Sequence, residues 1–92
     1  MIFEWDQRKA LSNRAKHGVS FEEAATVFGD PVGRIVHDPR HSDAEERYVL
    51  LGHSRLGRLV AVMFTERGEA IRIISARPAA RREGRGHEKG KS

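Results

Sequence analysis

Cysteine is absent from the 92 residues, which excludes a disulfide framework and a zinc site built on thiolates and fits a reducing compartment. Also missing is any apolar run near the roughly 20 residues that cross a bilayer. The opening MIFEWDQRK has no hydrophobic core of the kind a secretory signal carries. A soluble, cytoplasmic protein without membrane contact is therefore expected. No internal repeat or low-complexity linker breaks the chain, so a single domain is expected over residues 1–83, with a basic, flexible tail at 84–92. A chain of this size buries roughly 60–65% of its unfolded surface, enough for a modest core.

An excess of one charge is likewise missing from most of the chain. Residues 1–76 hold eleven Lys and Arg against eleven Asp and Glu, so the net charge of +4 arises entirely beyond Ala76. There Arg77, Arg81, Arg82, Arg85, Lys89 and Lys91 face only Glu83 and Glu88. A cationic cluster of this kind suits a polyanion such as nucleic acid, or an acidic protein partner.

The stretch GRLVAVMFTERGEAIRIISAR, residues 57–77, organises what is present. Apolar runs at 58–65 and 70–76 flank Glu66-Arg67-Gly68-Glu69, which predicts a β-hairpin with Gly68 supplying any positive φ. Period 2 puts Leu59, Ala61 and Met63 on one face and Val60, Val62 and Phe64 on the other, as expected of a central strand. In the second strand the same period sets Ile71, Ile73 and Ser75 against Arg72, Ile74 and Ala76. An arginine in so apolar a strand needs a carboxylate, a wet groove or a phosphate to offset its desolvation. Residues 46–54 predict a third strand that completes an antiparallel meander, and residues 32–36 and 2–5 predict short additional strands.

Asp6 has the character of an N-cap, and residues 7–17 read as a helix ending at Gly18, with Lys16 and His17 placed favourably against the C-terminal dipole. Ser20-Phe21-Glu22-Glu23 matches a capping box for a second helix, whose apolar face is Phe21, Ala24, Ala25, Val27 and Phe28 and which Gly29-Asp30-Pro31 stops. Pro78 suits the first turn of a short C-terminal helix with fraying expected beyond Glu83. No metal site is expected: His37 and His41 have helical ligand spacing, but Asp38-Pro39 between them forbids that helix. Trp5 and Tyr48 are expected in packing rather than base stacking.

Several stretches together resemble the BrnT family of toxins from type II toxin-antitoxin pairs. They are Phe3-Glu4-Trp5-Asp6, residues 13–25 (NRAKHGVSFEEAA), His41-Ser42-Asp43 leading to Glu45-Glu46-Arg47-Tyr48, and Thr65-Glu66-Arg67 followed by residues 71–77 (IRIISAR). The resemblance runs in order from residue 2 to about residue 83. It implies an α+β, RelE/ParE-like fold, with two N-terminal helices and a short C-terminal helix packed on a twisted antiparallel sheet. It implies an endoribonuclease that cleaves mRNA and inhibits translation, with no cofactor. It also implies a cognate ribbon-helix-helix antitoxin, contact with operator DNA only through that antitoxin, and assembly as a toxin dimer or a toxin–antitoxin heterotetramer. In this chain Gly84, Gly86 and His87 stand where the resemblance implies further basic residues and a tyrosine.

Metal-free RNA cleavage requires a base for the 2′-OH, an acid for the leaving oxygen and cations for the charge on phosphorus. Lys16, His17, Arg72, Arg77 and Arg81 are the catalytic candidates: Arg72, Arg77 and Arg81 or Arg82 converge on the sheet end where Pro78 turns the chain, and Lys16 and His17 stand at a helix end; Arg58, Arg67 and Arg82 are the RNA-contact candidates. Histidine titrates nearest neutrality by default, which singles out His17. Glu45 and Glu46 supply a carboxylate base or simply neutralise Arg47 or Arg72. His17 serves phosphate or merely ends its helix, and Arg72 meets ligand or a salt-bridge partner. Three functions stay open: a nuclease, a non-catalytic co-repressor module that docks the antitoxin, and a gyrase poison of the ParE kind.

Overall fold

A computed structural model describes residues 1–37 and 45–79. Strand β1 (Ile2–Glu4) leads into helix α1 (Gln7–His17) through Asp6, whose extended backbone and carboxylate, accepting from Arg8 N and Lys9 N, cap the helix. Gly18 closes it in the left-handed region at φ 72°, its N–H donating to Arg14 O. Ser20 caps helix α2 (Phe21–Thr26) by accepting from Glu23 N, and a single 3₁₀ turn (Val27–Gly29) ends it. The strands β2 (Arg34–His37), β3 (Tyr48–His53), β4 (Leu59–Arg67) and β5 (Ala70–Pro78) follow.

The sheet order is β1-β5-β4-β3-β2, which places β4 at the centre, as its two apolar faces require. Arg67 pairs with Ala70 across the Gly68-Glu69 loop, and Gly68 alone in that loop takes positive φ, 60°, the pattern of a type II′ turn. Gly68→Ala is expected to cost about 1 kcal/mol because a Cβ disfavours this conformation. Its open surroundings add no clash. A shift of the urea midpoint at constant slope measures it.

One face of the sheet holds the core. Val60, Val62, Phe64, Leu50, Ile73 and Ala76 pack against Phe21, Ala24 and Val27 of the helical layer and Val19 in the connection before it. Aromatic rings extend this layer, with Trp5 edge-on to Phe21 and Phe28 edge-on to Phe64. Tyr48 stacks on Phe64, so both Trp5 and Tyr48 are packing residues.

Three expectations are corrected. The sheet is mixed rather than antiparallel, because β1 runs parallel to β5, with Phe3 opposite Ile71. A helix does not begin at Pro78. That residue closes β5 opposite Val60, and Ala79 N carries the ladder onward to Leu59 O at 3.0 Å. Pro78 thus occupies a non-hydrogen-bonded position, where its missing N–H costs no ladder bond. Arg81, Arg82 and the remainder of the expected terminal helix lie outside the described residues. With a mixed sheet and two α-helices among the described residues, the RelE/ParE-like arrangement with its third helix gives way to a sheet-dominated α+β fold.

The faces of β5 are also not those of a strict period. A bulge shifts the register between Met63 and Phe64, pairing Ser75 with Met63 but Ile73 with Phe64, so that Ile74 is the extra residue. Ile71, Ile73 and Ala76 consequently face the core, and Arg72, Ser75 and Arg77 share the opposite face.

Candidate functional site

Helix α1 runs along β5 where β1 no longer pairs with it, and Asn13 fixes the contact. Its amide Nδ2 donates to Ala76 O at 2.8 Å and to Val19 O at 2.9 Å, while its Oδ1 accepts from Ala76 N at 3.1 Å. A side-chain amide here continues the sheet edge, satisfying both backbone groups of a buried strand residue. Asp30 does the same at the other end of the meander. Its carboxylate accepts from His53 N and Val32 N. Burial pushes the Asp30 pKa up, but those two backbone bonds and the His53 imidazole outweigh it and leave the carboxyl below its usual range.

The docking of α1 on β5 leaves a cleft of about 220 Å³ lined by Lys9, Ser12, Asn13, Lys16, His17, Ile74 and Ser75. Two lysines, a histidine and two hydroxyls converge with no carboxylate in the lining, a donor set matched to a phosphate group. Arg77 lies two residues beyond Ser75 on the same sheet face, about 7 Å further along the strand, and is exposed. Lys9, Ser12 and Lys16 were not singled out together from sequence. Their spacing of three and four residues on one helix face was the available signal.

The remaining candidates are placed elsewhere. Arg58 forms a two-bond pair with Glu23, Nε to Oε2 at 2.7 Å and Nη2 to Oε1 at 2.6 Å, and also donates to Gly18 O. Glu23 is nearly buried and takes a further bond from Ser54 Oγ at 2.7 Å. The Arg58 guanidinium holds the Glu23 carboxyl below its usual range against the opposing effect of burial, and the carboxylate in turn raises Arg58. The neighbouring cleft of about 370 Å³ is lined by Arg14, Arg58, Glu22 and Glu23 among others, and its carboxylates make it a poorer phosphate site than the α1–β5 cleft.

Arg72 pairs with Glu4 of β1 at 2.8 Å, which meets the need for a carboxylate that its strand position creates. Arg67 lies at the far hairpin end of β4, 3.5 Å from Glu45. Glu46 pairs with His37, and its carbonyl accepts from Thr65 Oγ1. Of the arginines expected to converge at one sheet end, Arg72 is paired with Glu4 and Arg77 stands two residues beyond Ser75, while Arg81 and Arg82 lie outside the described residues; Lys16 and His17 line the α1–β5 cleft, and Arg58 and Arg67 sit in separate ion pairs. Among the described residues no three His, Cys, Asp or Glu cluster as metal ligands, and no helix is long and apolar enough to cross a membrane; His41 lies outside the described residues.

Comparison with known proteins gives concordant results. No curated protein matches the chain. Among solved structures, the crystal structure of the Brucella abortus ribonuclease toxin, BrnT, is similar at a TM-score of 0.67 and 26% identity, covering 88% of this chain and 100% of that one. Residues 5–83 match the family described as ribonuclease toxin, BrnT, of type II toxin-antitoxin system. With nearly the whole sheet and both helices inside that span, the chain belongs to the BrnT family of ribonuclease toxins of type II toxin-antitoxin systems.

Proposed function

We propose that this toxin is an endoribonuclease that cuts mRNA in the cleft between α1 and β5, inhibits translation in the cytoplasm, and is neutralised by a cognate antitoxin. The observation that carries the reading is the lining of that cleft, where Lys9, Lys16 and His17 converge with Ser12 and Ser75 and no carboxylate. His17 takes the proton of the attacking ribose 2′-OH as its oxygen bonds to phosphorus, and the bond to the 5′-oxygen breaks with that oxygen taking a proton from water, which leaves a 2′,3′-cyclic phosphate and a 5′-hydroxyl. Lys9 and Lys16 neutralise charge on the non-bridging oxygens, and Arg77 holds a neighbouring phosphate of the strand. These groups supply acid–base and charge-stabilising chemistry from side chains alone, so we place no metal or cofactor in the reaction. Arg81 and Arg82 extend the cationic track by sequence.

Purified protein incubated with RNA in excess chelator tests this directly. Cleavage products ending in cyclic phosphate are expected, and intact RNA would reduce the protein to an antitoxin-docking module. Arg77→Ala is expected to lower kcat/KM about tenfold, the equivalent of one charge-assisted phosphate bond at about 1.4 kcal/mol, with an unchanged thermal midpoint. Equal cleavage by the variant would remove Arg77 from the RNA track. The docking-only reading draws on the ion pairs of Arg58 and Arg72, which commit those guanidinium groups to the fold.

A further inference from the structure

The groups proposed to act in the α1–β5 cleft come from two elements, Lys9, Lys16 and His17 from the helix and Ser75 from the strand, with Arg77 beyond it. Apolar packing gives the helix little hold, since Ala10 and Asn13 are its buried residues. Strand β1 pairs with β5 from Ala70 to Arg72 and does not reach Ala76. The N–H and C=O of Ala76 bond to the Asn13 amide instead, at 3.1 and 2.8 Å. The other Nδ2 hydrogen of Asn13 reaches Val19 O, two residues past His17, at 2.9 Å. One amide therefore ties the backbone that follows His17 to the backbone between Ser75 and Arg77. Both of its hydrogens are engaged and the residue is only 7% exposed, so Asn13 lines the cleft without a donor to offer RNA.

We propose that Asn13 is the positioning residue of this site, setting the distance between the His17 imidazole and the ribose-phosphate linkage held against β5; the inference rests on the reading that RNA is cut in this cleft. A base must come within about 3 Å of the oxygen whose proton it takes, and a displacement of about 1 Å can cost about a hundredfold in rate. Three hydrogen bonds from one planar group leave α1 little freedom to slide or rotate on the strand, a constraint that the packing of Ala10 does not supply. The amide suits this role better than its nearest relatives. Aspartate keeps the shape but sets a carboxylate against two carbonyl oxygens, and glutamine, one methylene longer, moves the helix off β5. Asn13 thus acts on the reaction through His17 and not by touching the substrate.

The test is a double-mutant cycle in the full-length chain, with cleavage of an RNA oligonucleotide under single-turnover conditions and affinity for its uncleavable 2′-O-methyl analogue measured below the thermal midpoint of every variant. Asn13→Ser keeps a small polar group and room for water at the clamp; it is expected to slow cleavage at least about thirtyfold while analogue affinity stays within about threefold of wild type. In a His17→Gln background the same substitution should cost less than about threefold, because displacing a base that is already gone changes little. The full loss in both backgrounds overturns the proposal. Asp30→Asn is the structural control: that carboxylate also satisfies backbone groups, His53 N and Val32 N, but at the far side of the meander, so its replacement should lower the midpoint and leave the rate within about threefold. An equal rate loss there would make general loosening the cause and overturn the positioning role. Should Asn13→Ser not fold, the wild-type protein decides by NMR. The Asn13 side-chain amide and the Ala76 N–H are expected to stay protected from exchange when the analogue binds, and loss of that protection overturns the clamp. A wild-type rate in His17→Gln alone instead sinks the catalytic reading of the cleft, and the role of Asn13 with it.

Discussion

Replacing His17 by Gln is expected to slow RNA cleavage at least about a hundredfold, the lower end of what a positioned acid–base group contributes. His17 is the last residue of α1, and the helix is closed behind it by Gly18 at φ 72°, so its imidazole is held at the mouth of the α1–β5 cleft by the helix ending itself. Two anchors fix that position. Asn13, one turn earlier, is bonded to Ala76 and Val19, and Gly18 O accepts from Arg58. Glutamine keeps hydrogen-bonding capacity and approximate length but cannot exchange a proton near neutrality. RNA affinity should therefore change little while kcat falls, and the thermal midpoint should stay near wild type. A loss smaller than about threefold would mean that His17 only terminates its helix, and the base would have to be sought outside this cleft.

Much of the fold follows from local signals. Asp6, Gly18 and Ser20 set helix boundaries where their chemistry predicts, because caps act within one turn of chain. Gly68 does the same for the hairpin, and the apolar residues on both faces of 59–64 place β4 centrally. What escaped a local reading depends on partners distant in sequence. Nothing in Arg72-Ile73-Ile74-Ser75 announces a bulge, since no glycine or proline marks it, yet that one extra residue moves Ser75 and Arg77 to the face of Arg72. The parallel pairing of β1 with β5 spans most of the chain.

The candidate site divides along the same line. Lys16 and His17 could be named because a helix end is visible in sequence, and Arg77 because it closes an apolar strand. Glu23 could be read only as half of a capping box. In the fold Ser20 Oγ does accept from Glu23 N, but the carboxylate turns inward to Ser54 and Arg58 instead of back to its own cap. Arg58 thereby gains a structural partner in Glu23, a contact that only the tertiary fold decides. Arg72 is matched in the same way, because Glu4 arrives beside it on the neighbouring strand.

Glu23→Ala is expected to lower stability by about 2–3 kcal/mol, and the size of that loss should depend on pH in a defined direction. The Glu23 side chain is only 5% exposed and accepts from Arg58 twice and from Ser54 once, so truncation strands a hydroxyl donor and removes a paired buried charge. Breaking a fully buried pair costs about 3–5 kcal/mol; the Arg58 side chain is 42% exposed, and water can solvate it once the partner is gone, which places the expected loss lower. The carboxyl titrates below its usual range because Arg58 holds it ionised. Folding therefore gains from Glu23 in full above its unfolded-state value of about 4.3, and that gain fades as pH falls through the depressed folded-state value. Urea unfolding of both proteins near about pH 7, 5 and 3 should then show a constant gap between the first two and a narrower one at the third. A gap that stays at its neutral value in acid would trace the loss to packing alone and take the ion pair out of the account of how α2 is anchored to the start of β4.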